Sequence, residues 1–253
     1  MIALSVNLNK IALIRNSRDT TNPDIPEHAQ RCIDAGADGI TVHPRPDQRH
    51  IRAQDCFDLA AMLTVEFNIE GNPFSGPRRS KREGVGDYPG FMALVKAIRP
   101  AQCTLVPDTD GQLTSDHGFD LTRDGDRVAP LVQELQALGI RTSLFMDPDP
   151  EQIRLAAQTG TDRIELYTES YAAAFRRHDE VDEVFGRFVD AAEVAASEGL
   201  GLNAGHDLDL HNLPRFATIS GLLEVSIGHA LTVDAIRMGL ASTIAAYQKA
   251  LGK

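Results

Sequence analysis

Cysteine is scarce in this chain of 253 residues, and the three that occur, Cys32, Cys56 and Cys103, are widely spaced. An odd number of isolated cysteines fits neither a disulfide framework nor a zinc knuckle. The sequence therefore predicts free, buried thiols in a protein of the reducing cytoplasm.

Long hydrophobic runs and an excess of positive charge are also missing. No apolar stretch reaches the length of a membrane span, and the start, MIALSVNLNKIALIRN, lacks the features of a signal peptide. The formal net charge of −11 disfavours nucleic acid and anionic membranes as partners. A local basic cluster could still bind an anionic small molecule.

What is present is a regular alternation of short apolar runs with amphipathic stretches. Eight runs are predicted strands, at 3–9, 39–44, 65–71, 103–108, 141–147, 163–168, 201–206 and 222–229. Strand–helix alternation predicts parallel strands joined by right-handed crossovers. Eight such units in roughly 250 residues predict an α/β protein with a (β/α)₈ TIM barrel, and a doubly wound sheet is the alternative. The last helix is predicted over 232–251.

The chain shows no linker or low-complexity segment, so we predict a single barrel domain over residues 1–253. One stretch near 73–90, within GNPFSGPRRSKREGVGDYPG, has three prolines, a basic run and almost no apolar periodicity. Such a composition cannot bury enough surface to order itself alone. We predict that it is a surface insertion outside the barrel core.

The carboxyl ends of the strands should carry the active site, because this face holds catalysis in TIM barrels. The predicted ends carry Asn7, Asn9, His43, Glu70, Asp108, Asp147, Thr168, His206 and His229, with His50 just beyond one of them. A satisfied structural role is the alternative for any single histidine. Together, the histidines and Glu70 predict proton transfer.

Arginines in the loops after the first two strands indicate an anionic substrate. Arg18, Arg45 and Arg49 offer planar forks of donors that match phosphate oxygens. SIGHALTVDAI places a glycine before a helix start, where barrels often bind phosphate. Both signals predict a phosphorylated or doubly anionic substrate. Alternatively, these arginines pair on the surface with Asp19 or Asp47.

Metal and Schiff-base chemistry are not expected. The sequence has no HxH after the first strand and no HExxH. No predicted strand ends in lysine, and Lys10 comes closest.

Several motifs together resemble the pyridoxine 5′-phosphate synthase family. They are NLNKIALIRNSR, GADGITVHPRPDQRHI, FNIEGN, LVPD with QLTSDHG, LFMDPD, LNAGHDLDLHN and SIGHA. The resemblance implies a TIM barrel with extra helices, a transferase that assembles as a homo-octamer in the cytoplasm. It also implies the condensation of 1-deoxy-D-xylulose 5-phosphate with 3-amino-2-oxopropyl phosphate to pyridoxine 5′-phosphate, phosphate and water, without metal or organic cofactor. A sugar-phosphate sensor and a phosphosugar isomerase are the alternatives.

The resemblance also implies a role for each matching residue. His43 and Glu70 would accept protons, and His206 would donate one. The deoxyxylulose phosphate would be bound by Arg45, His50 and Thr114, and the aminoketone phosphate by Asn7, Arg18, Asp207, Gly228 and His229.

Three features depart from the family pattern. Asn9 and Lys10 stand where the family often has Asp-His, and both can still donate hydrogen bonds to substrate. Asp207 stands where glycine is common, and it adds negative charge near a phosphate while keeping its backbone N–H. The connection over 72–90 is longer than is usual in the family.

Overall fold

The computed structural model describes residues 1–18, 20–109 and 111–253, and in these ranges eight parallel strands close into a barrel in chain order. The strands are β1 Ala3–Asn7, β2 Gly39–Val42, β3 Glu66–Gly71, β4 Gln102–Leu105, β5 Arg141–Met146, β6 Arg163–Leu166, β7 Gly201–Gly205 and β8 Leu222–Ile227. Strand β8 pairs with β1, which completes the ring. The predicted TIM barrel is confirmed, and the doubly wound alternative is wrong.

Helices surround the barrel, and three strand–helix units in the described ranges hold two helices each. The helices are α1 Asn9–Asn16, α2 Ile25–Asp34, α3 Ala53–Met62, α4 Phe91–Ile98, α5 Leu121–Gln136, α6 Pro150–Gln158, α7 Glu169–Arg177, α8 Val181–Ser197, α9 Leu213–Phe216, α10 His229–Met238 and α11 Leu240–Ala250. The second helices follow β1, β6 and β8, so the extra helices expected from the family resemblance are present.

Helix α1 was missed because its polarity is inverted. The first strand was predicted over 3–9, but β1 ends at Asn7 and α1 begins at Asn9. The helix buries Arg15, whose Nη1 lies 2.6 Å from Asp55 Oδ1, while Leu13 and Ile14 are exposed. A surface helix normally buries its apolar side chains and exposes its charged ones, and α1 does the opposite, so the usual helical pattern does not detect it.

The prediction of one closing helix over 232–251 is wrong. The segment forms α10 and α11, separated by Gly239 at a φ of 80°. A left-handed residue cannot continue an α-helix, so the chain turns there. Helix α10 instead begins earlier, at His229, directly after Gly228, the residue that follows β8.

The barrel interior is polar. Along β3, Phe67 and Ile69 join the apolar core, whereas Asn68 accepts a 3.1 Å hydrogen bond from Thr104 and reaches Thr41 at 3.4 Å. Successive side chains of a β-strand point to opposite faces of the sheet, so Asn68 faces the barrel interior while Phe67 and Ile69 face the surrounding helices. Hydrogen bonding among these inward side chains offsets the cost of their burial.

The segment near 73–90 follows β3 and lies at the same end of the barrel as the predicted site. Most of its residues are exposed, yet Tyr88 is 1% exposed and belongs to the core. The backbones of Arg78 and Tyr88 exchange two 2.8 Å hydrogen bonds, and Gln48 donates to the Gly86 carbonyl. The interpretation of this stretch as a surface insertion outside the barrel core stays a prediction.

The few cysteines and the lack of long apolar runs led to two expectations that can be compared with the described residues. The three cysteines are free and buried, as predicted, and burial raises the pKa of the Cys32 thiol to about 12. None of the helices in the described ranges has both the length and the apolar character that a membrane crossing requires.

Candidate active site

A cavity of about 520 Å³ opens at the carboxyl ends of the strands. Twelve of the predicted site residues line it, namely Asn7, Asn9, Lys10, His43, Arg45, His50, Glu70, Thr114, His206, Asp207, Gly228 and His229. These residues lie at the ends of six strands, β1, β2, β3, β4, β7 and β8, or in the loops and helices that follow those strands. The volume is in the usual range for a small-molecule site.

Arg18 is the predicted site residue that lies outside the described lining of this cavity. It is exposed just after α1, where its backbone N–H donates to the Arg15 carbonyl at 3.4 Å. Asp19, one suggested surface partner, lies outside the described residues. The role of Arg18 therefore stays a prediction.

His43 and Glu70 lie side by side because β2 and β3 are neighbours in register, with Val42 opposite Ile69. Glu70 Oε2 is 3.9 Å from His43 Nδ1, and Asn7 Nδ2 donates to the same oxygen at 3.4 Å. His43 Nε2 lies 3.3 Å from Asp108 Oδ2. Two carboxyl groups therefore flank the imidazole.

Burial dominates the electrostatics of this pair. Desolvation, together with the nearby Arg45 charge, lowers the pKa of His43 well below its ordinary value, which favours a neutral imidazole able to accept a proton. Desolvation, aided by Glu165 and Glu224, raises the pKa of Glu70 well above its ordinary value. Arg45 opposes that rise, but burial outweighs it. Both shifts favour the neutral form, the neutral imidazole of His43 and the protonated carboxyl of Glu70.

His50 lines the cavity, and one of its two ring nitrogens is occupied by the backbone. Its Nδ1 accepts the Ile51 backbone N–H at 2.9 Å, which leaves Nε2 to carry the proton of the neutral ring. Burial and then the Arg45 and Arg49 charges lower the pKa of His50 to about 3. His50 is therefore a neutral hydrogen-bond donor at physiological pH.

The arginines of the β2–α3 loop already have partners. Arg45 Nη2 lies 2.5 Å from Asp108 Oδ2, and Arg49 Nη2 lies 2.7 Å from Asp47 Oδ2. Both guanidinium groups also donate to the Gln112 carbonyl, Arg45 at 3.4 Å and Arg49 at 2.8 Å. Pairing with Asp47 is therefore seen for Arg49, whereas Arg45 pairs with a buried carboxylate.

His206 follows β7 in a left-handed backbone conformation, with a φ of 49°. Its Nδ1 lies 2.6 Å from Asp207 Oδ2, and its Nε2 lies 2.7 Å from Thr114 Oγ1. The ring edge packs against Tyr167, with centroids 5.5 Å apart. The imidazole is thus held on three sides.

The turn into α10 brings backbone N–H groups to the cavity. A side chain at Gly228 would place its Cβ 3.1 Å from the Asn7 Cβ, so only glycine fits this approach without a shift. His229 begins the helix, whose first-turn N–H groups lack partners within the helix. Such a helix end attracts anions.

Two smaller placements differ from the simplest reading of the motifs. Asn9 Oδ1 accepts the His43 backbone N–H at 2.9 Å, so this side chain also positions a predicted base. The Asp207 N–H, the group expected at a phosphate, donates to Thr168 Oγ1 at 3.3 Å.

Three cavity residues of chemical interest were not predicted from the sequence. Glu165, Phe145 and Ser226 lie within strands rather than at their ends. The period-two pattern of RIEL places Arg163 and Glu165 on one face and Ile164 on the other, which could have revealed Glu165. Burial raises the pKa of Glu165 to about 7, and His206 opposes that rise.

Asp108 was noted as a strand end but given no role. It accepts from Ser115 Oγ at 3.0 Å and pairs with Arg45. Burial raises its pKa, and the Arg45 charge opposes the rise. Among the described residues, no group of three or more His, Cys, Asp or Glu side chains is arranged to hold a metal ion.

Comparison with known proteins decides the family. The family model described as "Pyridoxal phosphate biosynthesis protein PdxJ" matches residues 4–253. The chain belongs to the PdxJ family. The resemblance read from its motifs is therefore confirmed.

Curated relatives of this PdxJ-family chain carry the name pyridoxine 5′-phosphate synthase. The protein from Xanthomonas campestris pv. campestris is 54% identical over 248 residues, covering 96% of this chain and 94% of that protein. The Porphyromonas gingivalis protein is 50% identical over 252 residues, covering 99% of each. The predicted enzyme and its function in pyridoxine biosynthesis are confirmed.

Solved structures of low sequence identity share the fold. The 3-hexulose-6-phosphate synthase from Salmonella typhimurium has a TM-score of 0.62 at 12% identity, covering 99% of this chain and 98% of that one. The phosphoribosyl anthranilate isomerase from Thermotoga maritima has a TM-score of 0.57 at 10% identity, covering 100% and 99%. Both show the barrel fold alone.

Proposed function

We propose that this cavity is where the PdxJ-family chain condenses 1-deoxy-D-xylulose 5-phosphate with 3-amino-2-oxopropyl phosphate, forming pyridoxine 5′-phosphate with release of phosphate and water. One observation carries the assignment of the site. Three proton-transfer groups, His43, Glu70 and His206, line one cavity of about 520 Å³ together with two separate anion-binding elements.

The proton-transfer roles follow from the state of each group. His43 is held in its neutral form by burial and so accepts a proton from the attacking amine. Glu70, 3.9 Å away, is the second base and exchanges protons with the same reacting atoms. His206 donates a proton to a departing hydroxyl. Imine formation, dehydration and ring closure each need such transfers.

The two phosphates occupy different elements in this proposal. Arg45, His50 and Thr114 take the deoxyxylulose phosphate, since a guanidinium fork and a neutral imidazole N–H suit phosphate oxygens. Gly228 and His229, at the start of α10, take the aminoketone phosphate, with Asn7 packed against them.

Lys10, Asn9, Arg18 and Asp207 complete the proposed substrate set. Lys10 lines the cavity from the first turn of α1, where its ammonium can approach a phosphate. Arg18 would act from beyond the described lining. Asp207 would contribute its backbone N–H once Thr168 releases it.

Assembly and location are proposals as well. We propose a homo-octamer in the cytoplasm, with contacts that use the exposed apolar side chains Leu13 and Ile14 of α1 and Ile236 and Met238 of α10. Large apolar side chains left exposed on the surface are candidates for such contacts. Light scattering on the eluted protein should give eight times the chain mass of 27.5 kDa, and a monomer would contradict the proposal.

The experiment for the activity is incubation of the purified protein with both substrates and with each one alone. Pyridoxine 5′-phosphate, identified by chromatography and mass, should form only when both are present. Conversion of one substrate alone would indicate an isomerase. Binding of a sugar phosphate without any turnover would indicate a sensor.

A further inference from the structure

The side chain of Asp207 makes a close contact that the predicted roles do not use. Its Oδ2 lies 2.6 Å from His206 Nδ1. The Asp207 backbone is held separately, because its N–H donates to Thr168 Oγ1 at 3.3 Å and its carbonyl accepts from Asn212 Nδ2 at 3.2 Å. Since the backbone is fixed on both sides, the fold itself aims the carboxylate at the imidazole.

The backbone conformation of His206 also indicates that its side chain is held in a fixed position. A φ of 49° is uncommon for a residue with a side chain, and surrounding contacts must hold it there. His206 and Asp207 side chains are 28% and 25% exposed, so both reach the cavity while remaining mostly shielded. This shielding strengthens their hydrogen bond relative to one in water.

The contact decides which ring nitrogen carries the proton. A carboxylate only accepts, so the hydrogen between the two side chains belongs to His206 Nδ1. The other nitrogen, Nε2, lies 2.7 Å from Thr114 Oγ1. Because Thr114 also lines the cavity, Nε2 is the atom that can exchange a proton with a bound molecule.

We infer that Asp207 is a positioning residue that fixes His206 as the Nδ1–H tautomer and leaves Nε2 to deliver a proton. The inference rests on the proposed function, in which His206 is the proton donor. In the step, Nε2 of the Nδ1–H ring first takes up a proton that the substrates released in an earlier transfer, which gives the imidazolium. The Nε2–H bond then breaks and its proton goes to the oxygen of the departing hydroxyl, which leaves as water with the electron pair of the broken C–O bond. The electron pair of the N–H bond stays on Nε2, and Nδ1–H remains bonded to the Asp207 carboxylate.

The test reads the tautomer of His206 by proton–nitrogen correlation NMR on enzyme labelled at histidine, with His206→Gln identifying the signal. The wild-type ring should carry its proton on Nδ1. In Asp207→Ala the proton should move largely to Nε2, and kcat should fall by about 10-fold to 10⁴-fold. The KM values should change by less than about 3-fold, because the carboxylate acts through His206 and not on the substrates.

Asp209→Ala is the matched control, since Asp209 accepts the backbone N–H groups of His211 and Asn212 at 2.8 and 3.0 Å in the same loop. It should lower the melting temperature and leave the His206 tautomer on Nδ1. The inference is overturned if Asp207→Ala keeps the wild-type tautomer, or if Asp209→Ala moves it equally. Full turnover in His206→Gln would overturn the proposed donor role and the delivery step, whereas the tautomer result would stand by itself.

Discussion

Replacing Arg45 by Met should have two effects that can be measured separately, one on substrate affinity and one on the free energy of unfolding. The guanidinium is proposed to bind the deoxyxylulose phosphate, and a charge-assisted hydrogen bond contributes about 1.5–3 kcal/mol. Loss of this hydrogen bond should lower the affinity for that substrate by about 10-fold to 150-fold. The aminoketone phosphate should be affected much less, because its proposed site lies at the start of α10.

The same change has a cost for stability that the structure makes explicit. Arg45 Nη2 lies 2.5 Å from Asp108 Oδ2, and both side chains are about 5% exposed. Removing one partner of a buried pair leaves an uncompensated charge, at a cost of about 3–5 kcal/mol. Without Arg45 the pKa of Asp108 rises further above its unfolded value. The deficit should therefore be largest at neutral pH and shrink as the solution is acidified and Asp108 becomes protonated.

Titration calorimetry with each substrate and thermal unfolding from acid to neutral pH would measure both effects. The double change Arg45→Met with Asp108→Asn should regain most of the stability and none of the affinity. Arg154→Met, which removes an exposed arginine paired with Glu151 at 2.6 Å, is the matched control and should alter neither. Equal weakening of both substrates by Arg45→Met would refute the assignment of this arginine to one phosphate.

Further changes test other parts of the account. Glu70→Gln should lower turnover by about 10²-fold to 10⁴-fold with little change in substrate binding, and near-normal turnover would remove Glu70 from the mechanism. Arg18→Met should weaken the aminoketone phosphate more than the deoxyxylulose phosphate, and calorimetry that finds the reverse would contradict its predicted role. Burial raises the pKa of Glu224 to about 8, so the stability it provides is present at acid pH and is lost as pH rises through that value. Glu224→Gln should therefore flatten the fall in melting temperature between about pH 4.5 and pH 8, and an unchanged profile would show that this carboxyl is not responsible. Trimming residues 75–86 should leave the barrel folded, whereas a large drop in melting temperature would show that the segment supports the core through Tyr88.

The fold and most of the cavity could be predicted because a TIM barrel brings every strand end to one face. Once the strands are placed, residues as distant in sequence as Asn7 and His229 must meet, whatever lies between them. His43, Glu70 and His206 were found in this way, from position and chemical type. No knowledge of their contacts was needed.

What could not be predicted depends on partners distant in sequence. Helix α1 was missed because Arg15 is buried only by virtue of Asp55, forty residues later. Glu165 was missed because it lies inside β6, and a search of strand ends passes over it. Asp207 pairs with His206 where the His206 backbone is left-handed. A left-handed conformation at a residue other than glycine is uncommon, so it could not be predicted from the sequence.

The central claim is that one cavity holds both phosphorylated substrates at once. The most direct measurement is equilibrium titration of Glu70→Gln, in which slow turnover lets binding be followed, with each substrate in the absence and presence of the other. The account predicts one molecule of each per chain, with no loss of affinity for either when the other is saturating. Mutual displacement of the two substrates would contradict it, because a single shared phosphate site would then explain the binding.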